Sequence, residues 1–234
     1  MRILCFMAHP DDMELRCAGT LLRYVQAGHT VFSCHVANGN MGDMVTPPDE
    51  LRRIRIAEAK KAGVLAGIEV LTLDLGDLTI NGADERQYLE TVRLIRRTKP
   101  DVIFTHATED YCSDHTAVSE LVFRASFSAT CPNFHPELGG AAPLASIYYT
   151  ANSGSINFIP TEYVDISDVM ETKLAMMKCH ESQLVWLKEH DNADILRNIQ
   201  LWAEAWGTQC GVKYAECFRP LMASGRMRTW RVLP

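Results

Sequence analysis

Ile3-Leu4-Cys5-Phe6-Met7-Ala8 is an unbroken apolar run, and His9-Pro10-Asp11-Asp12 follows it directly. A run this short with no polar interruption reads as a strand buried on both faces, as in a parallel sheet. Parallel strands need crossover connections, most often helices. The chain supplies one at once. Leu15, Ala18, Leu21, Leu22 and Val25 recur at helical spacing behind Asp11 and Asp12, and Gly28 is placed to cap the end. Gly19 falls inside that pattern, where it costs about 1 kcal/mol against Ala. It reads either as a point of close packing or as a tolerated defect.

The same unit then repeats. Thr30–Ala37 reads as a second strand, and Asn38-Gly39-Asn40-Met41-Gly42-Asp43 as the loop after it. A helix is expected from Pro47 to about Gly67, a strand over 70–75 and the loop Gly76-Asp77-Leu78. An amphipathic helix over 85–99 stops at Pro100, and residues 101–105 form another buried strand. A helix is expected over 116–130, a Pro- and Gly-rich loop over 131–143, strands over 146–150 and 163–166, and a loop over 151–160. Two helices near 168–190 and 192–208 precede an irregular segment, 211–234, whose Arg219, Arg226, Arg228 and Arg231 read as a solvated basic face. Strands alternating with helices predict an α/β fold, a Rossmann-like three-layer α/β/α sandwich with a mainly parallel sheet. No linker or repeat divides residues 1–234, which predicts a single domain.

A net charge of −6 argues against a nucleic-acid surface. No apolar run reaches the ~18 residues of a membrane span, so no membrane insertion is expected. None of the eight cysteines pairs as C-x-x-C, which speaks against a zinc ribbon. Reduced thiols and the absence of a leader pattern predict a cytoplasmic protein.

Chemistry collects where strands end. His9-Pro10-Asp11-Asp12 follows the first strand, and His106, Glu109, Asp110, Tyr111, Asp114 and His115 follow the fourth. Open α/β sheets place ligands at that edge. Two histidines and an aspartate make a three-ligand set with an open fourth position, the pattern of a catalytic zinc site, and a further carboxylate can take a proton from water. Taken alone, the first cluster could merely cap a helix; the second makes that reading weaker. His29, His35 and His190 read as structural or exposed, and Trp202 with Trp206 as core or as an oligomer contact.

Met7-Ala8-His9-Pro10-Asp11-Asp12-Met13-Glu14 with Gly19 resembles the opening motif of the PIG-L/LmbE-like N-acetylglucosaminyl deacetylases. Asn38-Gly39 with Gly42, Arg55-x-x-Glu58 with Gly67, and Asp110-Tyr111-Cys112-Ser113-Asp114-His115 agree with that family, and His180-Glu181-Ser182-Gln183 does so more weakly. The family-like core covers about residues 3–130, with C-terminal strands and helices completing it. The resemblance implies His9, Asp12 and His115 as ligands of Zn²⁺, with Fe²⁺ fitting the same set. It implies Asp11 as general base, Asp114 as a supporting group near His115, and Arg55, Asp77 and Tyr111 as contacts to an amino-sugar substrate. It also implies a homo-oligomer.

The family commonly has His where this chain has Cys112. A neutral thiol is a weak donor and a poor replacement for an imidazolium that stabilises an oxyanion or protonates a leaving amine. Three readings stand at that position: another donor such as His106, Tyr111 or His180 acts; the substrate demands less; or the enzyme is weakened or altered. The first is preferred because the ligand set and Asp11 are intact, so Asp11, Asp114, Cys112 and His180 are the candidate catalytic residues. The expected reaction is metal-dependent hydrolysis of an N-acetyl group on a GlcNAc-type sugar. The alternatives are an amidase for a thiol-sugar conjugate or other N-acyl amine, and a sugar- or metal-binding homologue with weakened catalysis.

Overall fold

The apolar run becomes strand β1 (Arg2–Met7), and its alternation explains why it carries no polar residue. Ile3, Cys5 and Met7 face one layer with Leu21, Met176 and Ile199, while Leu4, Phe6 and Ala8 face the other with Val92, Val118 and Leu121. The structure, a computed structural model, describes residues 1–152 and 156–234; part of the loop expected over 151–160 therefore lies outside the described residues.

β1 pairs in parallel with β2 (Thr30–Ala37) on one side and β4 (Val102–Thr105) on the other. β3 (Glu69–Leu75) extends the sheet beyond β2, and β5 (Ser146–Thr150) beyond β4, both in parallel. β6 (Glu162–Asp165) and β7 (Ala215–Pro220) complete the order β3-β2-β1-β4-β5-β7-β6, with β7 antiparallel to both its neighbours. The strand order reverses between β1 and β4, so a crevice opens at their carboxyl ends.

The helices depart from expectation in three places. The first is broken at Cys17 into α1 (Asp12–Arg16) and α2 (Ala18–Gln26). The break is sustained because Glu216 of β7 accepts hydrogen bonds from Gly19 N at 2.9 Å and Thr20 N at 2.7 Å, amides that the break leaves without a helical partner. Lys173 Nζ sits 2.6 Å from the same buried carboxylate and balances its charge. The helix expected over 168–190 is two, α6 (Met170–Met177) and α7 (Glu181–Glu189). The helix expected from 116 starts earlier, as α5 (Ser113–Ser128), so Asp114 and His115 stand in its first turn. The remaining long helices are α3 (Pro48–Ala66), α4 (Glu85–Thr98) and α8 (Ile195–Cys210).

The segment read as irregular contains β7, which Glu216 disguised: a charged residue in a short run argues against a buried strand until its partners are seen. Nor is Arg226 part of a solvated face. It is buried and donates to Ala145 O at 2.8 Å and Ser126 Oγ at 2.9 Å. All eight cysteines are free. Among the described residues, no helix is long and apolar enough to cross a membrane.

Gly19 is a close-packing position. A Cβ there would stand 2.7 Å from Ile166 Cγ2. Gly19→Ala should therefore destabilise the protein by about 1–3 kcal/mol despite alanine's better helix propensity. Urea denaturation reads this directly, and a stabilised variant would refute the packing argument.

His35 is buried on β2 with Nδ1 2.8 Å from Ala37 O, and burial pushes its pKa down to about 4. Its ordinary value is about 6.5, so between these values the unfolded chain binds the extra proton. The stability it contributes is intact above about pH 6.5 and lost as pH falls towards 4, by about 3 kcal/mol. The urea midpoint of the wild type should fall more steeply across that window than that of His35→Asn; parallel curves would show that His35 is not responsible.

Candidate metal centre

Five segments converge at the crevice. The β1–α1 turn brings His9, Asp11 and Asp12. The loop after β2 brings Met41 and Gly42, and the loop after β3 brings Asp77 and Leu78. The segment after β4 brings Tyr111 and Cys112, and the first turn of α5 brings His115. They line a cleft of about 340 Å³ together with Gln183, Trp186, Leu187 and Trp202. A roomier hollow of about 620 Å³ beside Phe123 and Tyr149 carries none of these metal-ligating groups.

The imidazole orientations follow from their carboxylate partners. His115 Nδ1 lies 3.0 Å from Asp110 Oδ2, and His9 Nε2 lies 3.2 Å from Asp114 Oδ2. An ionised carboxylate only accepts, so those ring nitrogens carry the protons. The opposite nitrogens, His115 Nε2 and His9 Nδ1, then present lone pairs to each other at 3.3 Å. Asp12 faces both, with Oδ2 3.3 Å from His9 Nδ1 and Oδ1 3.5 Å from His115 Nε2. When both rings are neutral, three electron-pair donors thus surround one point. A tetrahedral cation with bonds of about 2.0–2.1 Å spaces its ligands about 3.3–3.4 Å apart. The donor set fits a divalent ion.

The electrostatics act on the same groups. Burial lowers the pKa of His9, but Asp114 and Asp12 outweigh it and leave it well above the ordinary value. Burial likewise works against His115, yet the charge of Asp12 and the hydrogen bond with Asp110 raise it to about 9. Burial pushes the Asp12 carboxyl up, and His115 and His106 more than reverse this. Without an ion these shifts hold protons on the rings, so a cation binding here would displace them.

Two overlapping triads bring their donor atoms within 4.8 Å of one another, His9–Cys112–His115 and Asp12–His106–His115. His106 is the weaker member. Its Nε2 accepts the hydrogen bond of Ala8 N at 2.9 Å, which occupies the lone pair. Burial, with the charge of His115, pushes its pKa down to about 4. The ring stacks flat on His115, centroids 3.9 Å apart, and so holds that ligand in place.

The remaining expected residues divide clearly. Asp11 is brought into the cleft beside the donors, and Arg55 Nη2 binds its Oδ1 at 2.9 Å. Arg55 is buried and also donates to Gly39 O at 3.3 Å. Gly39 has φ +79° and would put a Cβ 2.5 Å from Arg55, so only glycine lets the arginine lie across this loop. Arg55 therefore holds Asp11 rather than reaching freely for a sugar. Asp77 lines the cleft, but its oxygens accept from Gly39 N at 2.7 Å and Met41 N at 3.1 Å and so shape the loop. Of the two expected roles for Asp114, orienting the His115 region or hydrogen-bonding a partner, the structure shows the second: it pairs with His9 and accepts from Leu78 N at 2.8 Å. Tyr111 stands exposed at the mouth. His180 is fully buried, 3.5 Å from Glu14, and is not part of the cleft wall.

Asp110 had been given no separate role, although a carboxylate just ahead of a ligating histidine is the usual partner of its second nitrogen. Trp186 and Trp202 were also missed as cleft residues. Helical spacing cannot say which faces of α7 and α8 border a crevice built by other segments.

Histidine and carboxylate groups able to hold a divalent cation thus gather at the switch point of the parallel sheet. The family model for GlcNAc-PI de-N-acetylase (PIG-L) matches residues 4–126, just over half of the chain. Diacetylchitobiose deacetylase from Thermococcus kodakarensis is 31% identical, covering 93% of this chain and 82% of that protein. The chain belongs to the PIG-L family. Among solved structures, N,N'-diacetylchitobiose deacetylase from Pyrococcus horikoshii superposes with a TM-score of 0.81 at 23% identity, covering 94% of this chain and 83% of that one. GalB, the 4-carboxy-2-hydroxymuconate hydratase from Pseudomonas putida, superposes with a TM-score of 0.82 at 20% identity over the full length of both. At these identities the likeness is one of fold.

A bound divalent ion should stabilise the folded state. At a free concentration about 100 times its Kd the gain is about 2.7 kcal/mol, or roughly 5–10 °C in Tm for a chain of this size. Differential scanning fluorimetry with Zn²⁺ or Co²⁺ should show that rise in the wild type and none in His115→Ala. Equal shifts in both would place the ion elsewhere.

Proposed function

We propose that this protein is a metal-dependent N-deacetylase that hydrolyses the acetamide of a GlcNAc-type amino sugar. One observation carries the reading: the lone pairs of His9 and His115 converge with Asp12, while Asp11, a separate carboxylate fixed by Arg55, lines the same cleft. Two nitrogens and a carboxylate suit Zn²⁺, and Fe²⁺ is accepted by the same donors. Such an ion supplies Lewis acidity, drawing electron density from water and from the acetamide carbonyl. The deacetylase relatives support the assignment of amide hydrolysis to this site.

The chain's own groups do the rest. Asp11 takes a proton from water as the oxygen attacks the acetyl carbon. Arg55 binds Asp11 Oδ1 and keeps the carboxylate in place. The carbon–nitrogen bond breaks as the amine nitrogen takes the proton back from Asp11, giving acetic acid and the amine, which leave as acetate and an ammonium group after the acid's proton passes to the amine. Of the donors considered for the developing oxyanion, His106 has Nε2 occupied and His180 is sealed off beside Glu14. Tyr111 lines the mouth of the cleft, and its phenolic hydroxyl is able to donate. Trp186 and Trp202 offer the apolar faces on which a sugar ring stacks.

Asp11→Ala should lower acetate release from N-acetylglucosamine or diacetylchitobiose by about 10²–10⁴-fold. Its metal content should match the wild type. Full activity in Asp11→Ala would overturn the assigned mechanism.

A further inference from the structure

We propose that Cys112 is itself a ligand of the metal, its thiolate filling the fourth position around the ion held by His9, Asp12 and His115. The inference rests on the metal site proposed above and asks what replaces the histidine common in the family.

Cys112 is half-buried, lines the cleft, and brings its Sγ within 4.8 Å of the donor nitrogens of His9 and His115. Its position is built. Asp110 Oδ1 accepts from Cys112 N at 3.1 Å while Asp110 Oδ2 binds His115 Nδ1 at 3.0 Å. One carboxylate therefore fixes both the backbone of Cys112 and the ring of His115. His115 is itself buried, and with Nδ1 engaged its Nε2 lone pair faces His9 Nδ1 and Asp12, which are acceptors too. The three inward atoms, His115 Nε2, His9 Nδ1 and the Asp12 carboxylate, converge where an ion would sit, independently of the cysteine. Cys112 is also the residue that precedes the 16-residue helix α5.

The chemistry balances. Coordination breaks the S–H bond, forms a sulfur–metal bond and releases one proton to solvent. A dication with one carboxylate and one thiolate carries no net charge, which suits a buried site better than the singly compensated alternative. Sulfur also changes the choice of metal. Thiolate favours Zn²⁺, Co²⁺ and Cd²⁺ over the hard ions Mg²⁺ and Mn²⁺. With sulfur as a fourth protein ligand, water and the acetamide carbonyl would reach the ion only by expanding its coordination to five or by displacing sulfur.

The test is to load the full-length protein with Co²⁺ and record its absorption. Thiolate coordination gives an intense sulfur-to-cobalt charge-transfer band in the near ultraviolet, separate from the visible d–d bands of tetrahedral cobalt. The wild type should show both. Cys112→Ser and Cys112→His should keep the visible bands and lose the charge-transfer band, and circular dichroism should show both variants folded. Cys112→Ser should also bind Co²⁺ at least about tenfold more weakly, a loss comparable to removing a supporting partner of a ligand. Visible bands without charge transfer in the wild type would overturn the proposal and leave the metal site standing. A charge-transfer band that survives in Cys112→Ser would assign it to another cysteine and overturn it equally. Failure of the wild type to bind cobalt would overturn the metal site and the proposal with it.

Discussion

The site depends on two carboxylate–imidazole pairs. Asp110 takes one nitrogen of His115, Asp114 takes one nitrogen of His9, and each pair leaves the other nitrogen as a lone pair. Without them either ring could turn its N–H inward, and the two histidines would satisfy one another with a hydrogen bond. With them, two lone pairs and Asp12 meet around a point that only a cation or a shared proton can occupy. Much of the local fold serves that arrangement. β1 and β4 deliver their ends side by side, α5 begins early enough to put His115 in its first turn, and His106 stacks on the ligand from behind.

A second layer of fixation surrounds the carboxylates themselves. Arg55 crosses under the loop after β2, where Gly39 leaves room for it, and holds Asp11. Asp77 ties the amides of Gly39 and Met41 and so shapes the same loop. On the opposite side, Glu216 and Lys173 form a buried ion pair that secures the start of α2. Buried ion pairs are costly to break when one partner is removed, by about 3–5 kcal/mol, because the other charge stays in place.

The central part of this architecture was legible in the sequence because its signals are local. Continuous apolar runs specify strands buried on both faces, and residues placed just past a strand end lie at the ligand edge. What could not be read depended on partners far along the chain. The break at Cys17 is stabilised by Glu216, about two hundred residues later, and the strand holding Glu216 was hidden by that same charge. Asp114 was legible as a supporting group, but the choice of His9 over His115 as its partner required the geometry. His180 looked like a candidate from its motif, yet packing seals it beside Glu14. Fold alone does not carry the reaction either: a hydratase shares it over the full length. The donor set and its carboxylate neighbour carry the functional argument.

The central claim is that oriented lone pairs on His9 and His115 join Asp12 around a single ion. A crystal structure of the zinc-loaded protein, with anomalous data collected across the zinc edge, tests it most directly. The account predicts one strong anomalous peak about 2.0–2.2 Å from His9 Nδ1, His115 Nε2 and a carboxylate oxygen of Asp12, with Asp110 and Asp114 still on the opposite ring nitrogens. A peak away from these atoms, or an ion bound through His9 Nε2 with Asp114 displaced, would contradict it.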